Sequence, residues 1–182
     1  MLILLIILAV CFFVWHKVRQ TSGTDTGKIM DPASQVLSDS QSTPIEEAEF
    51  IRVIDGDTLL AWVNGCKERV RLIGIDAPES VHPDDRRNSS FGRASSRFVR
   101  TTIGRKRYVY LEYDAEKRDK YGRLLAYVYI DTPDGVIMLN RRIIQEGYAW
   151  TITVPPNTRY AALLASEQAK ARKAKKGFWA YR

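Results

Sequence analysis

The chain has 182 residues, with 28 Lys and Arg against 21 Asp and Glu, and 45% of its residues are apolar. This composition excludes a wholly disordered chain, and the length fits one domain of about 100–150 residues with some chain left over. Two cysteines cannot form a disulfide framework, and with only two histidines a zinc site built from His and Cys is nearly excluded.

The N-terminal segment has the composition of a membrane signal. Residues 1–15 form an unbroken apolar run, followed by Lys17 and Arg19. The run is slightly short for a membrane span, and Lys17 can lengthen it by reaching the interface. No Lys or Arg precedes the run, unlike in a typical secretory signal. We therefore predict a hydrophobic helix that is an uncleaved, single-pass N-terminal membrane anchor over residues 1–19. A cleaved signal and a secreted protein are the alternative.

The next segment lacks the features of a folded domain. Residues 20–48 hold Ser, Thr, Asp, Gln and Gly with few apolar positions and no periodicity, which is typical of a flexible linker. Residues 49–182 hold 25 basic and 16 acidic residues, a net charge of +9. A domain this basic indicates a polyanionic partner, either nucleic acid or an anionic membrane face. A basic surface that only meets solvent is the alternative.

Short β-rich runs and three helical periodicities follow in chain order. The predicted strands cover residues 50–54, 58–63, 67–75, 107–113, 124–130 and 136–139. The predicted helices cover residues 89–102, 139–146 and 159–176, each ending at or near a glycine. Because regular βαβ alternation is missing, these elements favour a mainly β, α+β fold built on a small barrel.

The hairpin signal Asn64-Gly65 fixes an expected register. With that two-residue turn, paired residues sum to about 129, so Asp57 lies opposite Leu72. Asp76 then follows just past the strand end. In this register Arg71 pairs with Thr58 and faces away from Asp57, unless a bulge or strong twist occurs at residues 56–58.

Three carboxylates are therefore expected at one rim of the barrel: Asp57, Asp76 and Glu79. Such a group of negative charges indicates a bound cation, and oxygen ligands without His or Cys indicate calcium or magnesium. Arg71 and Arg123 would add a phosphate-binding arrangement, since guanidinium groups bind phosphate oxygens bidentately. A base, a Lewis acid and two cations are what phosphodiester hydrolysis requires.

The chain resembles the staphylococcal-nuclease-like (thermonuclease) domain family. The resemblance rests on VIDGDTLLAWVNG, RVRLIGIDAPE, FGRASSRFV, DKYGRLLAYVYI, LNRRIIQEGYAW and SEQAKARKAKKGFWA, which cover roughly residues 50–180 in the family's order. It implies a five-stranded OB-fold barrel with three helices. It also implies a calcium-dependent endonuclease that hydrolyses DNA and RNA, and we expect the domain to be monomeric.

The resemblance also implies roles for individual residues. The implied calcium ligands are Asp57, Asp76 and the backbone carbonyl of Ala77. The implied catalytic residues are Glu79, as the general base, with Arg71 and Arg123 on the scissile phosphate. The implied ligands of a terminal phosphate are Lys120 and Tyr121.

Two positions depart from the family pattern. Ala77 stands where the reference member has Thr, but that contact is made through the backbone. Thr153 stands near the position of an aromatic residue that packs on the nucleotide, so stacking is expected to be weaker or supplied by Trp150.

Two other functions compete with a nuclease. One is a catalytically inactive nucleic-acid or protein-binding module of the same fold, which would be expected to lose the acids or arginines. The other is a membrane-surface protein that docks on anionic lipid. It explains the basic charge but not the carboxylates.

Overall fold

The computed structural model describes residues 44–79 and 89–181. The predicted anchor, residues 1–19, and most of the predicted linker lie outside these residues. Within the part of the chain that is described, no helix has the length and apolar character needed to cross a membrane.

The elements follow one another as strands first and helices mainly later. The strands are β1 (Ile45–Asp55), β2 (Thr58–Val63), β3 (Cys66–Leu72), β4 (Ile75–Asp76), β5 (Tyr108–Glu112), β6 (Leu124–Thr132), β7 (Gly135–Met138) and β8 (Trp150–Thr151). The helices are α1 (Ser90–Ile103), α2 (Leu139–Gln145) and α3 (Ala161–Lys173), followed by a 3-10 helix, Gly177–Tyr181.

Five strands close into a barrel in the order β3-β2-β1-β5-β6. The parallel pairing of β3 with β6 closes the ring, and β7 extends it beside β6. The barrel interior is filled by fully buried side chains such as Leu59, Val70 and Val128, and α2 adds Leu139 and Ile143 to the same core. The expected five-stranded OB-fold barrel with three helices is confirmed.

The hairpin between β2 and β3 has the expected turn and register. Asn64 and Gly65 both have positive φ, 50° and 77°, as a tight two-residue turn requires. Thr58 pairs with Arg71 and Val63 with Cys66, which is the predicted register.

Several boundaries differ from the sequence prediction. The sheet starts at Ile45, four residues before the expected domain start at residue 49, because residues 45–49 pair with β5 and bury Ala48. The predicted strand over residues 67–75 is divided by Gly74, whose φ of 79° turns the chain between β3 and β4. Helix α3 is shorter than predicted, and the short strand β8 was missed.

Candidate active site

Asp57 lies in the turn between β1 and β2 and is only 8% exposed. Its Oδ1 accepts a hydrogen bond from Thr58 Oγ1 at 2.9 Å, and its Oδ2 accepts one from the backbone N–H of Ala77 at 2.8 Å. Arg71 Nη1 lies 2.9 Å from the same Oδ2. The carboxylate is therefore fixed by three different partners.

Arg71 links the first carboxylate to the second. Its Nη2 lies 2.9 Å from Asp76 Oδ1, and its Nη1 donates to the carbonyl of Ile75 at 2.8 Å. The register expectation that Arg71 faces away from Asp57 is therefore wrong. The backbone pairing with Thr58 is as expected, but the long side chain reaches past the strand end to both acids.

A register irregularity does occur nearby, but in β1 and not at residues 56–58. The β1–β2 register shifts between Val53 and Asp55, which places one extra residue on β1. The turn that follows packs closely against α1, since a Cβ on Gly56 would lie 2.1 Å from Ser95 Oγ. Ser96 Oγ donates to Asp55 Oδ1 at 3.1 Å and fixes the turn to the helix.

Burial shifts the ionisation of Asp57. Loss of solvent raises the pKa of this carboxyl above its ordinary value, and the positive charge of Arg71 offsets only part of the effect. A further cation nearby would therefore stabilise the ionised form of Asp57.

Glu79 is exposed at the end of the segment that follows β4. Its carbonyl accepts a hydrogen bond from the backbone N–H of Ser89, and Ser89 Oγ caps α1 by accepting from Gly92 N at 2.9 Å. A Cβ on Gly92 would lie 2.0 Å from the Glu79 carbonyl oxygen. Gly92 was not predicted as a site residue, although a glycine inside a predicted helix is a signal of close approach.

Arg123 is held by a short turn at residues 119–123. Asp119 Oδ1 accepts the backbone N–H groups of Tyr121 and Arg123 at 2.9 and 3.0 Å, and Asp119 Oδ2 accepts from Arg123 Nε at 2.7 Å. Asp119 begins the sequence cluster of residues 119–123, but no role was predicted for it. An Asp just before a tight turn that contains Gly122 indicates a side chain that accepts hydrogen bonds from the backbone of that turn.

Lys120 and Tyr121 lie on this same turn. The Tyr121 side chain is exposed, with Lys120 Nζ 5.1 Å and Arg123 Cζ 5.5 Å from its ring centroid. Arg118 ties the turn to β3, because it donates to the Gly122 carbonyl at 2.7 Å and forms two hydrogen bonds with Glu68.

The barrel closure places the turn at the end of β6 that pairs with β3. Arg71 pairs with Leu125 across the parallel β3–β6 contact. Arg123 lies two residues before Leu125, immediately before β6 begins. The two arginines that the sequence predicts on the scissile phosphate are therefore close to the same β3–β6 pairing.

Trp150 lies next to the second carboxylate, because β8 pairs with β4 and places Trp150 opposite Asp76. It lines a cavity of about 520 Å³ together with Glu79, Phe91 and Phe178. Thr153 is exposed. The expectation that Trp150 stacks on a nucleotide stays a prediction.

The site offers only oxygen donors for a metal. Residues 44–79 and 89–181 contain no group of three or more His, Cys, Asp or Glu side chains at metal-binding distances. The donors at the rim are the Asp57 and Asp76 carboxylates and neighbouring backbone carbonyls. This donor set fits a hard cation such as calcium, which prefers carboxylate and carbonyl oxygens.

Comparison with known proteins identifies the family. The family model for staphylococcal nuclease homologues matches residues 69–181. A thermonuclease of Staphylococcus intermedius is 43% identical over 140 residues, which cover 76% of this chain and 80% of that protein. A thermonuclease of Staphylococcus hyicus is 37% identical over 131 residues, covering 72% and 74%. Endonuclease YncB of Bacillus subtilis (strain 168) is 34% identical over 130 residues, covering 70% and 59%. The chain therefore belongs to the staphylococcal nuclease family.

Proposed function

We propose that this protein is a calcium-dependent endonuclease that hydrolyses DNA and RNA. Its relatives are named thermonuclease and endonuclease, and this chain is a phosphodiester-hydrolysing nuclease of the same family. The observation that supports the mechanism is the Arg71 guanidinium, which forms ion pairs with both Asp57 and Asp76. The segment that carries Asp76 continues to Glu79.

The metal would be held by the two aspartates. Asp57, Asp76 and the carbonyl of Ala77 would bind calcium, which would supply a Lewis acid for the phosphate oxygens when bound. Asp57 suits this role because its buried carboxylate is already oriented by Thr58 and Ala77.

Glu79 acts as the general base in this mechanism. Its position at the exposed end of the rim lets water reach the carboxylate, which accepts the proton as the water oxygen attacks phosphorus. The close packing of its backbone on Gly92 and its bond to Ser89 hold this segment in place.

Arg71 and Arg123 stabilise the charge that develops on the phosphate. A guanidinium has five N–H donors, so Arg71 can hold the aspartates and still donate to phosphate oxygens. Arg123 keeps its orientation through Asp119. Lys120 and Tyr121, on the same turn, would contact a terminal phosphate.

A cleavage assay on the full chain tests the proposal, with DNA and RNA oligonucleotides as substrates. Excess chelator should abolish cleavage and calcium should restore it, and Glu79→Gln should lower turnover by about 10²-fold or more while binding persists. The matched control is Glu116→Gln, another exposed glutamate. Full activity in excess chelator overturns the metal assignment, and an unchanged turnover number removes Glu79 from its role.

The same assay separates the nuclease from an inactive binding module. A module of the same fold would bind the oligonucleotide with or without calcium and release no product. The presence of Asp57, Asp76, Glu79, Arg71 and Arg123 favours the enzyme.

We also propose that residues 1–19 anchor the protein in a membrane. The support is the apolar run over residues 1–15 and the basic residues after it. Deletion of residues 1–19 should move the protein from the membrane fraction to the soluble fraction. A full-length protein that is already soluble and keeps its N-terminal mass would contradict the anchor.

A further inference from the structure

The outward face of α1 carries three arginines that have no role in the proposed mechanism. Arg93, Arg97 and Arg100 are exposed, and the helix has no acidic residue along its 14 residues. Among the described residues, no acidic side chain forms an ion pair with any of these arginines. This face therefore carries positive charge that no described protein partner neutralises.

A groove of about 430 Å³ runs along this face. The residues that line it include Ser90, Arg93, Arg97, Phe98 and Tyr148. The Phe98 and Tyr148 rings stack in it, with centroids 4.4 Å apart and planes 14° apart, and both are only partly buried. The groove thus combines two cations with an aromatic surface.

The groove and the Glu79 segment lie on different faces of α1 and approach each other at its N-terminal end. Gly92 is buried against the Glu79 backbone, whereas Arg93 and Arg97 are exposed. The backbone N–H of Ser89 donates to the Glu79 carbonyl, and the next residue, Ser90, lines the groove. Arg97 follows Arg93 by one turn, about 6 Å further along the helix axis. A single-stranded nucleic acid that passes from Glu79 around the start of α1 would therefore meet Arg93 first and Arg97 next.

We propose, on the basis of the nuclease function, that this groove binds a single-stranded stretch of the nucleic-acid substrate outside the scissile phosphate. Arg93 and Arg97 contact its backbone phosphates, and the exposed parts of Phe98 and Tyr148 contact its bases. Single-stranded nucleic acid is bound by a positively charged groove that carries aromatic side chains, and α1 provides both. An anionic membrane would use the charge but has no bases to place against the rings.

The test measures binding of a labelled single-stranded 20-mer to the full chain over a salt series. All proteins carry Glu79→Gln and are measured in excess chelator, so that hydrolysis does not consume the probe. Arg93→Gln with Arg97→Gln should weaken binding and reduce the slope of log affinity against log salt by about 1.4, or about 0.7 for each lost phosphate contact. Glutamine is a good helix former, so α1 should be retained, and a thermal unfolding curve checks this.

The matched control removes the same charge from the barrel. Arg52 and Lys67 are exposed in β1 and β3, and Arg52→Gln with Lys67→Gln should leave the salt slope unchanged. Equal slopes for the α1 variant and its parent on the 20-mer would overturn the proposal.

A vesicle measurement separates the lipid alternative. Binding is compared on phosphatidylserine and on neutral phosphatidylcholine vesicles, because residues 1–19 are proposed to insert into both. If the α1 variant loses the parent's preference for phosphatidylserine but keeps the parent's affinity for the 20-mer, the groove is a lipid site and the proposal is wrong. Because binding is measured without turnover, a failed nuclease assay leaves this test intact, and a failed binding test leaves the nuclease assay intact.

Discussion

The two arginines proposed to bind the scissile phosphate are held in different ways. Arg71 bridges Asp57 and Asp76, which come from two separate segments, and its side chain is 15% exposed. Arg123 is held by Asp119, four residues earlier on the same turn, and its side chain is 29% exposed. One arginine therefore depends on the packing of the barrel and the other mainly on a local turn.

Stability and catalysis can therefore be separated at Arg123 but not at Arg71. Removal of the Arg71 guanidinium would leave the buried Asp57 carboxylate without an ion-pair partner among the described residues. The Arg123 turn keeps its backbone hydrogen bonds to Asp119 Oδ1 when the guanidinium is removed, because those bonds use the N–H groups of Tyr121 and Arg123. Substitutions at the two arginines should therefore differ in their effect on folding more than in their effect on turnover.

The largest combined effect is expected for Arg71→Ala. Turnover should fall about 10³-fold, because a phosphate cation is lost and both aspartates lose their shared donor. The free energy of unfolding should fall by about 2–3 kcal/mol, since the buried Asp57 carboxylate loses its ion pair. Denaturant unfolding and single-turnover cleavage measure the two effects. Arg69→Ala, an exposed arginine on the same strand, is the control. Unchanged stability would show that the cluster does not support the fold.

A smaller and purely catalytic effect is expected for Arg123→Ala. Turnover at saturating substrate should fall by about 10²–10³-fold, because the interaction is made mainly in the transition state. The free energy of unfolding should change by less than about 1 kcal/mol, as expected for a partly exposed ion pair. Lys175→Ala is the control, since Lys175 is an exposed lysine just after α3. Equal effects of both substitutions on turnover would make Arg123 part of a diffuse basic surface.

Gly92→Ala should have a moderate effect on the Glu79 segment, which follows Asp76, and should leave the Arg123 turn unchanged. The new Cβ would lie 2.0 Å from the Glu79 carbonyl, so either α1 or the Glu79 segment must move. Overpacking of this kind costs about 1–3 kcal/mol of stability, and a displaced Glu79 should lower turnover about 10-fold. Arg100→Ala, at an exposed position of the same helix outside the groove, is the control. A variant with normal turnover would show that the position of Glu79 does not depend on α1.

The same contrast explains what could be predicted from the sequence. The β2–β3 register followed from Asn64-Gly65, because a two-residue turn fixes every later pair. The Arg71 contact with Asp57 did not follow from this register, because the alternation of side chains along a strand does not describe how far a long side chain near the strand end can reach. The local turn that holds Arg123 was visible in its residues, and only the role of Asp119 was missed.

The start of the barrel shows a second limit of sequence reasoning. Glu46 and Glu47 gave residues 45–48 the composition of a linker, whereas these residues pair with β5. A polar strand that is stabilised by a partner some 60 residues away has no local hydrophobic pattern to reveal it. The family resemblance gave the fold as a whole, while this boundary needed the long-range pairing.

The smallest effect, and the finest test of the local turn, is expected for Asp119→Asn. Burial alone would raise the pKa of Asp119, but the hydrogen bonds from Arg123 and Tyr121 outweigh burial and hold this pKa below the ordinary 3.8. A carboxyl with a depressed folded pKa stabilises the protein above its unfolded pKa, and the contribution is lost as the pH falls through the folded value.

Asparagine keeps an oxygen for the two backbone N–H groups but has no charge for Arg123. The variant should therefore be less stable than the parent by about 0.5–1 kcal/mol at pH 7, and the difference should shrink as the pH falls below 3.8. Denaturant unfolding of both proteins across this range measures it, and the comparison cancels the acid sensitivity that they share. A stability difference between the two proteins that stays constant with pH would mean that the Asp119 charge does not stabilise the turn. The hydrogen-bonding shape of the Asp119 side chain would then be enough to orient Arg123.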